Sequence, residues 1–177
     1  MRLVRMHSPV IGPQTAPVTV VEFFDPACES CRAFHPYVKQ ILARHPQDVK
    51  LVLRYAPLHP GSAEVIKLLE AARRQDRFVA VLDAGLEAQP AWADHQKPDV
   101  ALAYQAAERA GLDLAKARED MQNPALDALL KQDVEDLRAL GVRGTPTFWV
   151  NGRSPASFGP EPLAQLVAEE VAKVKPR

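Results

Sequence analysis

The two cysteines of the chain, Cys28 and Cys31, stand three positions apart in the run Asp25-Pro26-Ala27-Cys28-Glu29-Ser30-Cys31-Arg32. There is no third, so a disulfide within the chain can only join this pair. An apolar run, Val18-Thr19-Val20-Val21-Glu22-Phe23-Phe24, leads into them and a helical stretch leads out. A helix start presents unpaired N–H groups and the positive end of the peptide dipole. A thiol held there loses its proton more readily and becomes a nucleophile near neutral pH. The spacing therefore predicts Cys28 as an exposed attacking thiolate and Cys31, one turn further in, as a buried resolving thiol. Exchange would run through a mixed disulfide at Cys28.

Blander readings of the pair are weaker. A structural zinc site needs four ligands, and His7, His35, His45, His59 and His95 are scattered without ligand spacing. No metal and no cofactor is expected. A purely structural disulfide around so short a loop would stabilise little. A soft two-thiolate copper site is the non-enzymatic alternative, with Met6 and Met121 too dispersed to complete it.

Two further residues could serve the same chemistry. Glu22 is a carboxylate in an apolar strand, on the face of Phe24 and opposite Phe23. Burial raises a carboxyl pKa, and an acid beneath the dithiol could take and return the Cys31 proton. It could equally send its head group to solvent or to a lysine. Pro146, after Thr145, reads on its own as a trans strand opener, because cis bonds are a minority of X-Pro bonds. Trp92, Phe148, Trp149 and Phe158 read as core or groove lining, with Phe148 and Trp149 on opposite faces of a strand.

Positioning the pair requires a sheet. Val18–Phe24 reads as a central strand buried on both faces. The helix after it carries Phe34, Tyr37, Val38, Ile41 and Leu42 at helical spacing, with Pro36 placed to kink it. Val49–Tyr55 completes a βαβ unit with parallel strands. Residues 62–140 are periodic only as helix, with Asn123-Pro124 as a start signal and Gly111 and Gly141 as stops. Thr145–Val150 returns to strand, Asn151-Gly152 signals a hairpin, and the strand after it, carrying Pro155, should be an edge. Leu163, Leu166, Val167, Val171 and Val174 form a last helix. The expected division is an arm over 1–16, an α/β domain over 17–61 and 141–177, and an all-helical insertion over 62–140.

The 177 residues, 47% hydrophobic, suffice for one well-buried core. With 22 basic and 22 acidic side chains the net charge is zero, which gives no reason to expect nucleic acid or anionic membrane as a partner. No run is long and apolar enough to span a bilayer, and Met1–Pro9 lacks the apolar core of a secretory signal. The expected location is the periplasm or another extracytoplasmic compartment if an export signal or anchor has been removed, and otherwise the cytoplasm. A membrane anchor is expected only if an N-terminal segment is missing.

Together these residues resemble the DsbA-like class of thioredoxin-fold proteins, bacterial thiol–disulfide oxidoreductases with a helical domain inserted in the fold. Val21-Glu22-Phe23-Phe24 followed by Cys28-Glu29-Ser30-Cys31 and Phe34 resembles the family's active-site strand and helix. Gly144-Thr145-Pro146, with Phe148, Val150, Asn151 and Gly152, resembles its cis-proline loop and hairpin. The resemblance runs from about Val10 to Val174. It implies a thioredoxin-like α/β fold (βαβ…ββα), a cis Pro146 against the cysteines, and a Thr145 backbone that binds an extended substrate as an added strand. Glu22 becomes a proton relay for Cys31. Partners would be cysteine-containing client proteins and a redox partner that regenerates the disulfide or dithiol.

The sequence departs from the class between the cysteines. Its strongest oxidants resemble Pro-His there, whereas this chain has Glu29 and Ser30. An exposed carboxylate next to Cys28 opposes the thiolate by a few tenths to about 1 kcal/mol, with Arg32 placed to offset it. The expectation is a milder oxidant. Disulfide isomerases of this broad class dimerise through an added N-terminal region, and the short arm here favours a monomer, with isomerase or reductase as the alternative direction. Kappa-type glutathione transferases share the architecture, but rely on a serine and would leave Cys31 without a task.

Overall fold

The computed structural model describes residues 3–175. Its sheet has four strands, β1 (Val10–Ile11), β2 (Val18–Phe24), β3 (Val49–Tyr55) and β4 (Thr147–Val150), in the order β1-β3-β2-β4. The βαβ reading holds, since β2 and β3 pair in parallel across helix α1 (Glu29–Arg44). β4 lies antiparallel on the other side of β2. β2 is therefore flanked on both sides, as its apolar run requires.

The side chains of β2 divide between two cores. Val18, Val20 and Phe24 face a large cluster built with Phe34, Val38 and Ile41 of α1 and Leu163, Val167 and Val171 of α8 (Pro160–Val174). Val21 and Phe23 face a smaller one with Val52, Leu137 and Leu3. Alternation puts Glu22 on the α1 side, beneath the helix that carries the cysteines. Helix α1 continues through Pro36 without losing its helical assignment.

Between β3 and β4 the chain forms six helices: α2 (Ser62–Arg74), α3 (Phe78–Glu87), α4 (Gln89–Trp92), α5 (Val100–Arg109), α6 (Leu114–Asp120) and α7 (Pro124–Ala139). Asn123 caps α7 by accepting from the Ala125 N–H at 2.9 Å, and Gly141, at φ +72°, follows its end.

Helix α7 covers the smaller core by means of charge. Arg54 of β3, wholly buried, donates to Asp133 Oδ1 at 2.7 and 2.9 Å and to Asp136 Oδ2 at 2.5 Å. Asp133 Oδ2 accepts from the Tyr55 N–H at 2.9 Å. Arg5 forks onto Asp136 with two bonds of 2.7 Å, and His7 Nε2 lies 2.8 Å from Asp133. The Arg5 hydrogen bonds, then Arg54, hold the Asp136 carboxyl well below the usual carboxylate range.

Two local expectations are corrected. The segment read as an arm without periodicity contains β1, antiparallel to β3, and its Leu3 is buried. Two residues are too few to show a period, and the buried acids of α7 that hold Arg5 and His7 lie far away in sequence. The strand expected after Asn151-Gly152 is absent among the described residues. The turn itself forms, with both residues at positive φ (48° and 80°), and Val150 and Arg153 exchange two hydrogen bonds. Pairing then stops, because Pro155 has no N–H to continue it and Arg153 turns to Glu169 and Glu170 of α8.

Candidate active site

At the end of β2 the chain turns through Asp25 to Cys28, and Asp25 holds that turn. Its carboxylate, wholly buried, accepts from the Ala27 N–H (2.9 Å), Ser62 Oγ (2.6 Å) and the Leu58 N–H (3.1 Å), and meets His59 Nδ1 at 2.6 Å. The aspartate thus ties the turn to the loop after β3. Its own N–H points at Cys31 Sγ, 3.5 Å away.

Cys28 is the N-cap of α1, in extended conformation, and its side chain makes no capping hydrogen bond. Both sulfurs are free thiols. The Cys28 thiol falls from 9.0 to about 5. The chief cause is a hydrogen bond from Cys31. Burial opposes it, and the Thr145 side chain and the N–H groups of Cys31 and Ser30 add to it. Cys31, 1% exposed, moves the other way, far above the ordinary thiol range, chiefly through burial, then through its bond to Cys28 and the Glu22 charge. Neighbouring sulfurs three residues apart are thereby driven to opposite protonation states.

Cys28 is less open than expected. It is 9% exposed, because the loop before β4 closes over it and the Thr145 carbonyl oxygen lies 3.5 Å from its sulfur. The Thr145–Pro146 bond is cis. The register explains the proximity: Thr147 pairs with Phe23, so the preceding residues lie beside the end of β2 where the cysteine turn begins. Thr147 Oγ1 donates to the Gly144 carbonyl at 2.7 Å and closes the loop on itself.

Glu22 is 5% exposed. Burial, and secondarily the Cys28 charge, raise its carboxyl to about 8. Glu29, Ser30 and Arg32 are all exposed. Glu29 meets His95 Nε2 at 3.0 Å, so the group that contacts it comes from the segment between β3 and β4 and is not the expected Arg32. The His95 ring stacks on His59, centroids 4.3 Å apart. Phe34 packs against Phe148 (5.4 Å) and against Phe158 (5.0 Å), which is 70% exposed. Trp149 packs edge-on against Phe23 on the opposite face. Among the described residues no group of three or more His, Cys, Asp or Glu could hold a metal ion.

Sequence reasoning missed Asp25, His59 and His95. Only Asp25 carried a local signal, as an Asp-Pro turn whose side chain bonds the backbone two residues on. The others arrive from distant segments.

The thioredoxin family model matches residues 5–169. A thioredoxin-like oxidoreductase from Silicibacter pomeroyi is 28% identical with a TM-score of 0.81, over 97% of this chain and 95% of that one. Oxidised BdbD from Bacillus subtilis has the same fold at 23% identity, with a TM-score of 0.81 and 93% of each chain covered. Among curated proteins, the Na(+)/H(+) antiporter NhaA 3 of Salinispora tropica is 38% identical over 147 residues, which are 81% of this chain and 22% of that protein. NhaA 1 of Salinispora arenicola is 34% identical over 174 residues, 95% of this chain and 26% of that protein. The chain spans about a quarter of the length of these curated relatives.

Proposed function

The chain belongs to the thioredoxin family, and on that premise we propose that it is a DsbA-like thiol–disulfide oxidoreductase whose Cys28 exchanges disulfides with client proteins through a mixed disulfide. The observation that carries the proposal is the placement of the two sulfurs, Cys28 at the start of α1 within 3.5 Å of the Thr145 carbonyl beside the cis Pro146 and Cys31 buried one turn inward, which tunes Cys28 low and Cys31 high. In the oxidising direction a client thiolate attacks Cys28 Sγ. A client–Cys28 bond forms, the Cys28–Cys31 bond breaks, and Cys31 leaves and takes a proton. A second client thiolate then attacks the client sulfur, forms the client disulfide and releases Cys28 as thiolate. Two electrons pass from client to protein, and a redox partner removes them.

Glu22 supplies the Cys31 proton in this scheme. With its carboxyl raised to about 8 it is mostly protonated at neutral pH, and it shares the buried face with the dithiol. Thr145, beside the cis Pro146, offers backbone to an extended client segment. Glu29, Ser30 and Arg32 tune the pair. A Cys28 pKa of about 5 lies between the roughly 3.5 of strong oxidants and the roughly 7 of reducing thioredoxins, which supports a milder oxidant. Residues 62–140 act as one inserted helical unit, and the protein works as a monomer on extracytoplasmic clients. No helix among the described residues is long and apolar enough to cross a membrane.

Trapping tests the scheme. A Cys31→Ser variant should attack a peptide supplied as its disulfide, release one peptide thiol and accumulate a mixed disulfide with the other, mapped to Cys28 by mass spectrometry. A Cys28→Ser variant that still exchanges with the peptide would refute it. Equilibration with glutathione places the oxidant strength, and a potential matching the Pro-His class would remove the claim of mildness.

A further inference from the structure

One short segment of the helical block touches the redox turn three times. Gln89 of α4, 2% exposed, donates from Nε2 to the carbonyl oxygens of Pro26 (2.8 Å) and Cys28 (2.9 Å). Trp92, wholly buried, packs in one cluster with Ala27. His95, just beyond, pairs with Glu29. The amide group has two N–H bonds, and both go to carbonyls of the residues on either side of Ala27.

Those two carbonyls fix the planes of the turn. The Cys28 carbonyl is also the first acceptor of α1, taking the Arg32 N–H at 3.1 Å. Its orientation therefore sets where the Cys28 side chain points relative to Thr145 and to the N–H groups of Ser30 and Cys31. A hydrocarbon at position 89 would take its donor from the Pro26 carbonyl and leave the Cys28 carbonyl with the Arg32 N–H alone, which favours rotation of the peptide groups.

We propose that Gln89 is a positioning residue for Cys28, acting through the backbone of the turn to hold the sulfur at the start of α1 against the Thr145 carbonyl. The proposal rests on Cys28 being the attacking sulfur. It assigns the helical block a direct part in the redox chemistry, through a residue 61 positions from Cys28.

The test compares Gln89→Met, similar in length but without the amide, with Trp92→Phe, which loosens the same segment without touching the clamp. Each is read by the ultraviolet absorbance of the Cys28 thiolate against pH, by equilibrium with glutathione, and by melting temperature. Gln89→Met should raise the Cys28 titration by about half a unit or more and move the glutathione equilibrium about threefold or more toward the oxidised form. Trp92→Phe should lower the melting temperature and leave both redox readings in place. Should Gln89→Met fail to fold, Gln89→Asn, whose amide falls one methylene short, should move both readings the same way. Unchanged readings in the folded Gln89 variant, or equal changes in Trp92→Phe, would overturn the proposal. A Cys28→Ser variant that keeps exchange activity would instead overturn the reading on which it rests.

Discussion

Replacing Glu22 by Gln removes a buried group that titrates between 4.5, its ordinary value, and about 8. Across that window the folded protein keeps a proton that the unfolded chain has released. The unfolded state binds fewer protons, so stability is fully present below pH 4.5 and is lost as pH rises toward 8. At about 1.4 kcal/mol per unit, the loss reaches about 3 kcal/mol by neutral pH and about 5 kcal/mol beyond the upper end. Burial is the larger cause and the Cys28 charge the smaller, so most of the effect should survive oxidation. The assay is urea unfolding of wild type and Glu22→Gln, in the same redox state, near pH 5 and near pH 8. Taking the difference between the two proteins largely cancels the Cys28 contribution, which runs the other way. The variant should gain on wild type by about 3 kcal/mol or more between the two pH values. Profiles that stay parallel would show that Glu22 does not titrate in this window, and the proton relay would lose its donor.

Three other outcomes follow from the same geometry. Asp133→Ala strips Arg54 of two hydrogen bonds inside the smaller core and should cost about 3 to 5 kcal/mol, read as a fall in melting temperature; a loss under 1 kcal/mol would contradict the buried network. Because the Cys28 thiol is lowered from 9.0 to about 5, it contributes stability to the reduced protein that is present above pH 9 and lost as pH falls toward 5. Unfolding of the reduced protein should accordingly become harder than that of Cys31-retaining Cys28→Ser as pH rises through this range, and a flat difference would refute the shift. Glu22→Gln should also slow the first attack in single-turnover kinetics, the step in which Cys31 leaves and takes its proton, with little change in release of the client by its second thiolate; equal slowing of both steps would point to a general structural effect.

The parts of this molecule legible in the sequence are those written in local pattern. The burial of β2 on both faces, the start of α1, the cap at Asn123 and the turn at Asn151-Gly152 all depend on neighbours within a few residues. Resemblance added the cis bond at Pro146, which spacing alone had assigned as trans. What stayed hidden depends on contacts across the chain. β1 exists because β3 offers an edge, and the arm is pinned because α7 buries two acids against Arg54. Gln89 and His95 reach the cysteine turn only once the helices between β3 and β4 have packed beside it, and His59 only once the loop after β3 meets Asp25. The partial closure of Cys28 has the same origin, since the loop that covers it is 117 residues away.

Titration of the thiolate absorbance of the reduced protein bears most directly on the central claim. Wild type should show a single step near pH 5, lost in Cys28→Ser, with no second thiolate below about pH 9 because Cys31 stays protonated. A first step at or above about pH 8, the range of an ordinary cysteine, would contradict the assignment of Cys28 as the activated sulfur.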